Sequence, residues 1–133
     1  MTVSPERSAA RLVELLEGRR AHAVWAFGSR ARGKARAGSD LDLGLLCEPP
    51  LDVFERGRHG DLLAMEIGVD VDLVDLKTAN PILAWEVVTT GRIVWEQSDP
   101  DDETVERFVR MARFAAEDAD QINRMILSAA ARP

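Results

Sequence analysis

The chain has 133 residues, a formal net charge of −6 at pH 7, 46% hydrophobic residues, one cysteine and no tyrosine. One domain spanning 1–133 is expected, burying roughly two-thirds of the surface its unfolded chain exposes, and the composition argues against disorder. The acidic balance argues against a general nucleic-acid binder, whose face would be broadly basic, and a lone Cys47 allows no intramolecular disulfide.

The opening MTVSPERSAARL lacks the apolar core of a signal peptide. No apolar run approaches the ~20 residues needed to cross a bilayer, so a cytoplasmic protein without membrane contact is expected. Ser4 can cap a helix with Pro5 at its first position and Glu6 in its first turn. Ala9, Leu12, Val13 and Leu16 then share one face at helical spacing. Ala21 to Phe27 reads as a strand that runs straight into Gly28, with Trp25 in the core and His22 as a partly exposed edge residue.

The stretch from Gly28 to Leu46, GSRARGKARAGSDLDLGLL, organises the rest. Strand alternation puts Asp40 and Asp42 on one face, their Cβ atoms roughly 7 Å apart. Two carboxylates converging to ~4 Å repel by about 4 kcal/mol at an effective dielectric near 20. A divalent ion, or a pair, relieves that repulsion, and hard oxygen ligands favour magnesium. Gly28 lets backbone approach closely, and Ser29 can cap a helical turn whose free N–H groups suit a phosphate. Arg30, Arg32, Lys34 and Arg36 add positive charge with no acid among them. Together these residues describe a site for a metal and a nucleoside triphosphate.

Asp40 to Cys47 is the second strand, with Leu41, Leu43 and Leu45 opposite the acids and Leu46 on the acids' face but further along. Glu48-Pro49-Pro50 ends it. Leu51 to Ile67 reads as a helix interrupted by Gly57 and Gly60, with a loop-like centre at Arg58-His59-Gly60 and a solvated His59. Val69 to Leu76 is the third strand, with Asp70 and Asp72 on one face and Val71, Leu73 and Asp75 on the other. A carboxylate in so apolar a run must be paired or bound to metal, and Asp72, with apolar neighbours on both sides, is the third acid expected at the site. Asn80 and Pro81 open a helix to Thr90 with Ile82, Trp85 and Val88 toward the sheet, and Arg92 to Glu96 makes a short edge strand. Asp99 and Pro100 then open a final helix over about 100–130, whose stripe runs from Val105 through Ala112 and Ala116 to Ile126. Met111, Phe114, Met125 and Leu127 fall largely outside that stripe, which predicts association through this helix, with a second copy or with a partner. Strands alternating with helices give an α/β fold, a small mixed sheet flanked by helices.

Gly28-Ser29, ten intervening residues and Asp40-Leu41-Asp42 resemble the signature of the DNA polymerase β-type nucleotidyltransferase superfamily. The fuller form GSRARG…SDLDL resembles its smallest members, the minimal nucleotidyltransferase (MNT) proteins, and a weaker likeness continues through VDVDLVDL and GRIVWE. The resemblance implies the polymerase β-like palm. It also implies Asp40, Asp42 and Asp72 as catalytic carboxylates and metal ligands for two Mg2+ ions, with Gly28, Ser29, Arg30, Arg32 and Ser39 binding the nucleotide. The reaction implied is transfer of AMP from ATP to a hydroxyl. Likeness to the MNT antitoxins implies a partner, a HEPN ribonuclease toxin whose tyrosine receives the AMP; this chain, with no tyrosine, cannot be its own tyrosine acceptor. The alternatives are an antitoxin that neutralises its toxin by binding alone, and an enzyme acting on a small-molecule hydroxyl such as an aminoglycoside.

Overall fold

Ser4 caps the first helix as its sequence predicts, its hydroxyl accepting from the Arg7 N–H. The computed structural model describes residues 3–28 and 39–131. In chain order these form α1 (Pro5–Leu15), β1 (Arg20–Phe27), β2 (Leu41–Glu48), α2 (Val53–Ile67), β3 (Val71–Asp75), α3 (Pro81–Thr90), β4 (Arg92–Glu96) and α4 (Thr104–Ala130). The strands lie in the order β3-β2-β1-β4; β2 and β3 are parallel, and β1 is antiparallel to both β2 and β4. The fold is α/β, a mixed four-stranded sheet with helices on both faces.

Alternation along the strands divides the core in two. Leu41, Leu43, Leu45 and Cys47 of β2 join Val24 and Ala26 under α1 and α2, where Leu12 and Leu63 are fully buried. On the other face Ala23, Trp25, Leu46 and Val74 meet Ala84 and Val87 of α3 and Val105 of α4. Asp42 and Gly44 alternate with the leucines and so belong to this second face.

Four sequence expectations need correction. First, α2 is continuous through Gly57 and Gly60. Its start is fixed by a capping box in which the Asp52 carboxylate accepts from the Glu55 N–H at 2.8 Å and the Glu55 carboxylate from the Asp52 N–H at 3.2 Å. At Gly60 the helix passes close to β3, where a Cβ would make ordinary contact with the Val71 carbonyl oxygen at 3.5 Å. His59 is buried and donates from Nδ1 to the Glu55 carbonyl at 2.9 Å, so it reaches neither solvent nor a phosphate.

Second, His22 is no edge residue, because β4 covers β1 from the side that the order of the sequence leaves open. Its ring is buried, with Nε2 3.3 Å from Glu48 Oε2 and Nδ1 3.8 Å from Asp102 Oδ2, neither in hydrogen-bond geometry. Third, α3 turns Ala84 and Val87 to the sheet, while Ile82 is exposed and Val88 packs at the margin. Gly44 decides this: a Cβ there would come within 2.8 Å of Val87 Cγ1, so the helix seats Val87 in the gap. Fourth, α4 begins at Thr104 rather than near residue 100. Asp99 and Asp102 organise a turn instead, Asp99 Oδ1 accepting from the Asp101 N–H and Asp102 Oδ1 from the Thr104 N–H. Among the described residues no helix is long and apolar enough to cross a membrane.

Candidate active site

Three adjacent strands bring their ends together here. The antiparallel register sets Phe27 opposite Asp42, and the parallel register sets Asp42 opposite Asp72. Gly28, which follows Phe27, therefore stands beside the pair of acids at one end of the sheet. Neighbouring strands lie ~4.8 Å apart, so the two carboxylates leave the same face within reach of a shared ligand. Asp42 is half-buried, whereas Asp40 and Asp72 are exposed. Asp70 precedes β3, and its carbonyl oxygen accepts from the Leu41 N–H at 2.9 Å, so the register puts Asp72 and not Asp70 opposite Asp42.

Gly28 is required twice over. Its φ of +72° lies in the left-handed region, and a Cβ built on it would sit 2.1 Å from Asp42 Oδ2. The carboxylate occupies the space a side chain would need. The sequence presents this glycine as room for a ligand; the structure adds that it is room for the acid.

Burial raises the Asp42 pKa above the ordinary carboxylate value, and the charges of Asp72 and then Asp40 raise it further. Among the described residues no ion pair reaches Asp40, Asp42 or Asp72. Of the expected nucleotide contacts, Gly28 lies at the site and Ser39 is half-buried two residues ahead of β2. Ser29, Arg30 and Arg32, with Lys34 and Arg36, lie outside the described residues.

A sequence model of the family described as "Polymerase beta, Nucleotidyltransferase" matches residues 11–100, more than half of the chain and all of the strands. The chain belongs to this family. Among its relatives, it is 35% identical to the protein adenylyltransferase MntA of Shewanella oneidensis over 59% of this chain and 57% of that one. It is 43% identical to the probable protein adenylyltransferase MntA of Haemophilus influenzae, over 44% of this chain and 53% of that one. The chain thus spans about half the length of the curated relatives it matches. A chain of a solved toxin-antitoxin structure with AMP-PNP superposes with a TM-score of 0.81 at 25% identity, covering 96% of this chain and 98% of that one.

For a polymerase beta nucleotidyltransferase, the donor set fits magnesium. Among the described residues no three His, Cys, Asp or Glu side chains are gathered into a closed metal cage. Magnesium does not ask for one, being held through one or two carboxylates with substrate phosphates completing the shell. Asp42 and Asp72, facing each other with no ion pair among the described residues and with Asp40 adding to the negative field, are carboxylates of that kind.

Sequence reasoning gave Asp75 no role beyond the face opposite Asp72, and the structure makes it an anchor. It is 1% exposed; Oδ2 accepts from the Leu51 N–H at 2.8 Å, and Oδ1 accepts from the N–H groups of Lys77 and Thr78. The Asp-Leu-Lys-Thr run carried the signal, an acid two and three residues before the amides it caps. Asp75 holds the far end of the strand that bears Asp72.

Proposed function

We propose that this chain is a Mg2+-dependent protein adenylyltransferase that moves AMP from ATP to a tyrosine hydroxyl of a HEPN toxin encoded alongside it, acting as the toxin's antitoxin in the cytoplasm. The observation that carries the reading is the in-register pair Asp42–Asp72 beside Gly28, with the Asp42 pKa raised by burial and then by its acidic neighbours. Support comes from the adenylyltransferase names of two relatives and the toxin-antitoxin setting of a third.

Asp40 and Asp42 would hold the metal, two Mg2+ ions in this reading, with Asp72 completing the set, and the bound metal would supply charge neutralisation for the triphosphate and for the entering and leaving oxygens of an in-line displacement. Ser29 and Arg30 hold the β- and γ-phosphates, while Gly28, Arg32 and Ser39 complete the nucleotide cradle. Asp72 takes the proton of the tyrosine hydroxyl as its oxygen bonds to the α-phosphorus. The bond to the bridging oxygen breaks, pyrophosphate leaves, and the tyrosine carries AMP. Fixed charges and positioning supply most of the acceleration.

The test is incubation of the chain with ATP, Mg2+ and the HEPN protein, followed by intact-mass measurement. A mass gain of one AMP per modified tyrosine on the HEPN protein is expected. A HEPN protein that stays unmodified yet loses its ribonuclease activity would return the function to neutralisation by binding.

A further inference from the structure

α4 divides into two halves of different character. Val105 is buried in the second core, with Phe108 and Val109 packed at its margin, and Ala112 and Ala116 are buried further along the helix. From Asp120 to Ala131 every residue is exposed. Ile126 and Leu127 follow Phe108 and Val109 by eighteen residues, which is about five turns, so they face the same way. The apolar stripe that docks the helix on its own sheet thus continues where no sheet lies beneath it. Ile126 is 60% exposed and Leu127 70%, with Ile122 and Met125 exposed beside them. The two charged residues of this half, Asp120 and Arg124, pair with each other at 2.7 Å. An outer half so neutralised suits an apolar protein surface and offers nothing to a nucleic acid.

We propose that the outer half of α4 is the arm on which the acceptor protein docks, the helical HEPN toxin of the reading above, on which this inference rests. Three observations point to that occupant. The helix lies wholly beyond residues 11–100, so the match to the family does not extend to it. The likeness to a chain from a toxin-antitoxin structure covers 96% of this chain and so takes in most of α4. The sequence has no tyrosine, so a second copy seated on the arm would bring no tyrosine acceptor. The placement also serves the chemistry. The turn before α4 pairs Asp102 with Arg20 at the end of β1 remote from the acids. From Thr104 to Ala116 the helix covers ~18 Å. β1 covers ~17 Å from His22 to Phe27. A helix laid along β1 from that turn would leave the sheet near the acid-bearing end, which would set the arm beside the mouth where a tyrosine must enter.

The experiment uses the full chain carrying Ile126→Glu and Leu127→Glu, with the HEPN protein as probe. Calorimetry without ATP reads docking, and labelled ATP reads transfer. Docking weakened at least ten-fold is expected, with the KM for the HEPN protein rising in step and ATP affinity and thermal midpoint unchanged. HEPN affinity equal to wild type overturns the proposal. So does a wild-type dimer that these substitutions dissociate without affecting HEPN affinity, since the occupant is then a second copy. Should the glutamates lower the thermal midpoint, Ile126→Ala with Leu127→Ala repeats the comparison on an unperturbed helix. A wild-type chain that binds through α4 but transfers nothing refutes the adenylyltransferase reading alone; transfer indifferent to α4 refutes the arm alone.

Discussion

Replacing Gly28 by alanine tests the geometry of the site without removing any charged group. The added Cβ meets Asp42 Oδ2 at 2.1 Å, Cγ at 3.1 Å and Cβ at 3.5 Å. The nearest atom is the tip of a side chain, so the carboxylate yields before the backbone does, and it must move more than ~1 Å to restore ordinary contact. The φ of +72° adds about 1–2 kcal/mol of steric cost for any residue with a Cβ. At roughly 3–5 °C per kcal/mol for a chain of this size, the thermal midpoint should fall by about 3–10 °C. A displacement of ~1 Å in a positioning group costs on the order of 100-fold in rate. Assayed below the new midpoint, kcat/KM for AMP transfer should therefore fall about 100-fold while the far-ultraviolet spectrum stays native. Wild-type turnover by a Gly28→Ala chain that shows the expected midpoint loss would refute the claim that Gly28 sets the place of Asp42.

Further predictions concern the acids. The raised Asp42 pKa makes its ionised form a liability to the unliganded fold: the penalty is absent below the unfolded carboxylate value and complete above the raised folded one. Asp42→Asn should accordingly leave the metal-free midpoint at neutral pH equal or higher and reduce the stabilisation by Mg2+, while transfer falls at least ~100-fold; calorimetry with and without Mg2+ reads the difference. Asp72→Asn should abolish transfer but spare ATP binding, whereas Asp70→Asn should leave both near wild type, in a filter-binding and transfer assay run side by side. Asp75→Asn replaces an acceptor of four hydrogen bonds with a half-donor and should cost about 1.5–3 kcal/mol in denaturant unfolding, with transfer per folded molecule retained.

Much of this arrangement was legible because the site is local. Gly28, Asp40 and Asp42 fall within one short stretch of sequence, and period-two alternation sorts the leucines of β2 from its acids without any tertiary knowledge. Asp72 was legible as a polar residue in an apolar strand, but its register against Asp42 is a pairing of distant segments. What sequence reasoning missed has the same origin. The His22 ring lies between Glu48 and Asp102, the latter arriving some eighty residues later. Gly44 looked like a weakness in a strand because Val87, the partner that fills its gap, is distant in the chain. The α2 start was the exception, since Asp52-x-x-Glu55 announces a capping box that outweighs the two glycines. The start of α4 moved because Asp99 and Asp102 both accept from nearby backbone N–H groups, so the acid-rich run makes a turn before the helix begins.

The fate of the α-phosphorus tests the central claim most directly. ATP labelled at the α-phosphate, and separately at the γ-phosphate, should be incubated with the chain, Mg2+ and the HEPN protein. The account predicts that only the α-label enters protein, that pyrophosphate appears in equal amount, and that both vanish with Asp42→Asn. Incorporation of the γ-label, or release of orthophosphate in place of pyrophosphate, would contradict it.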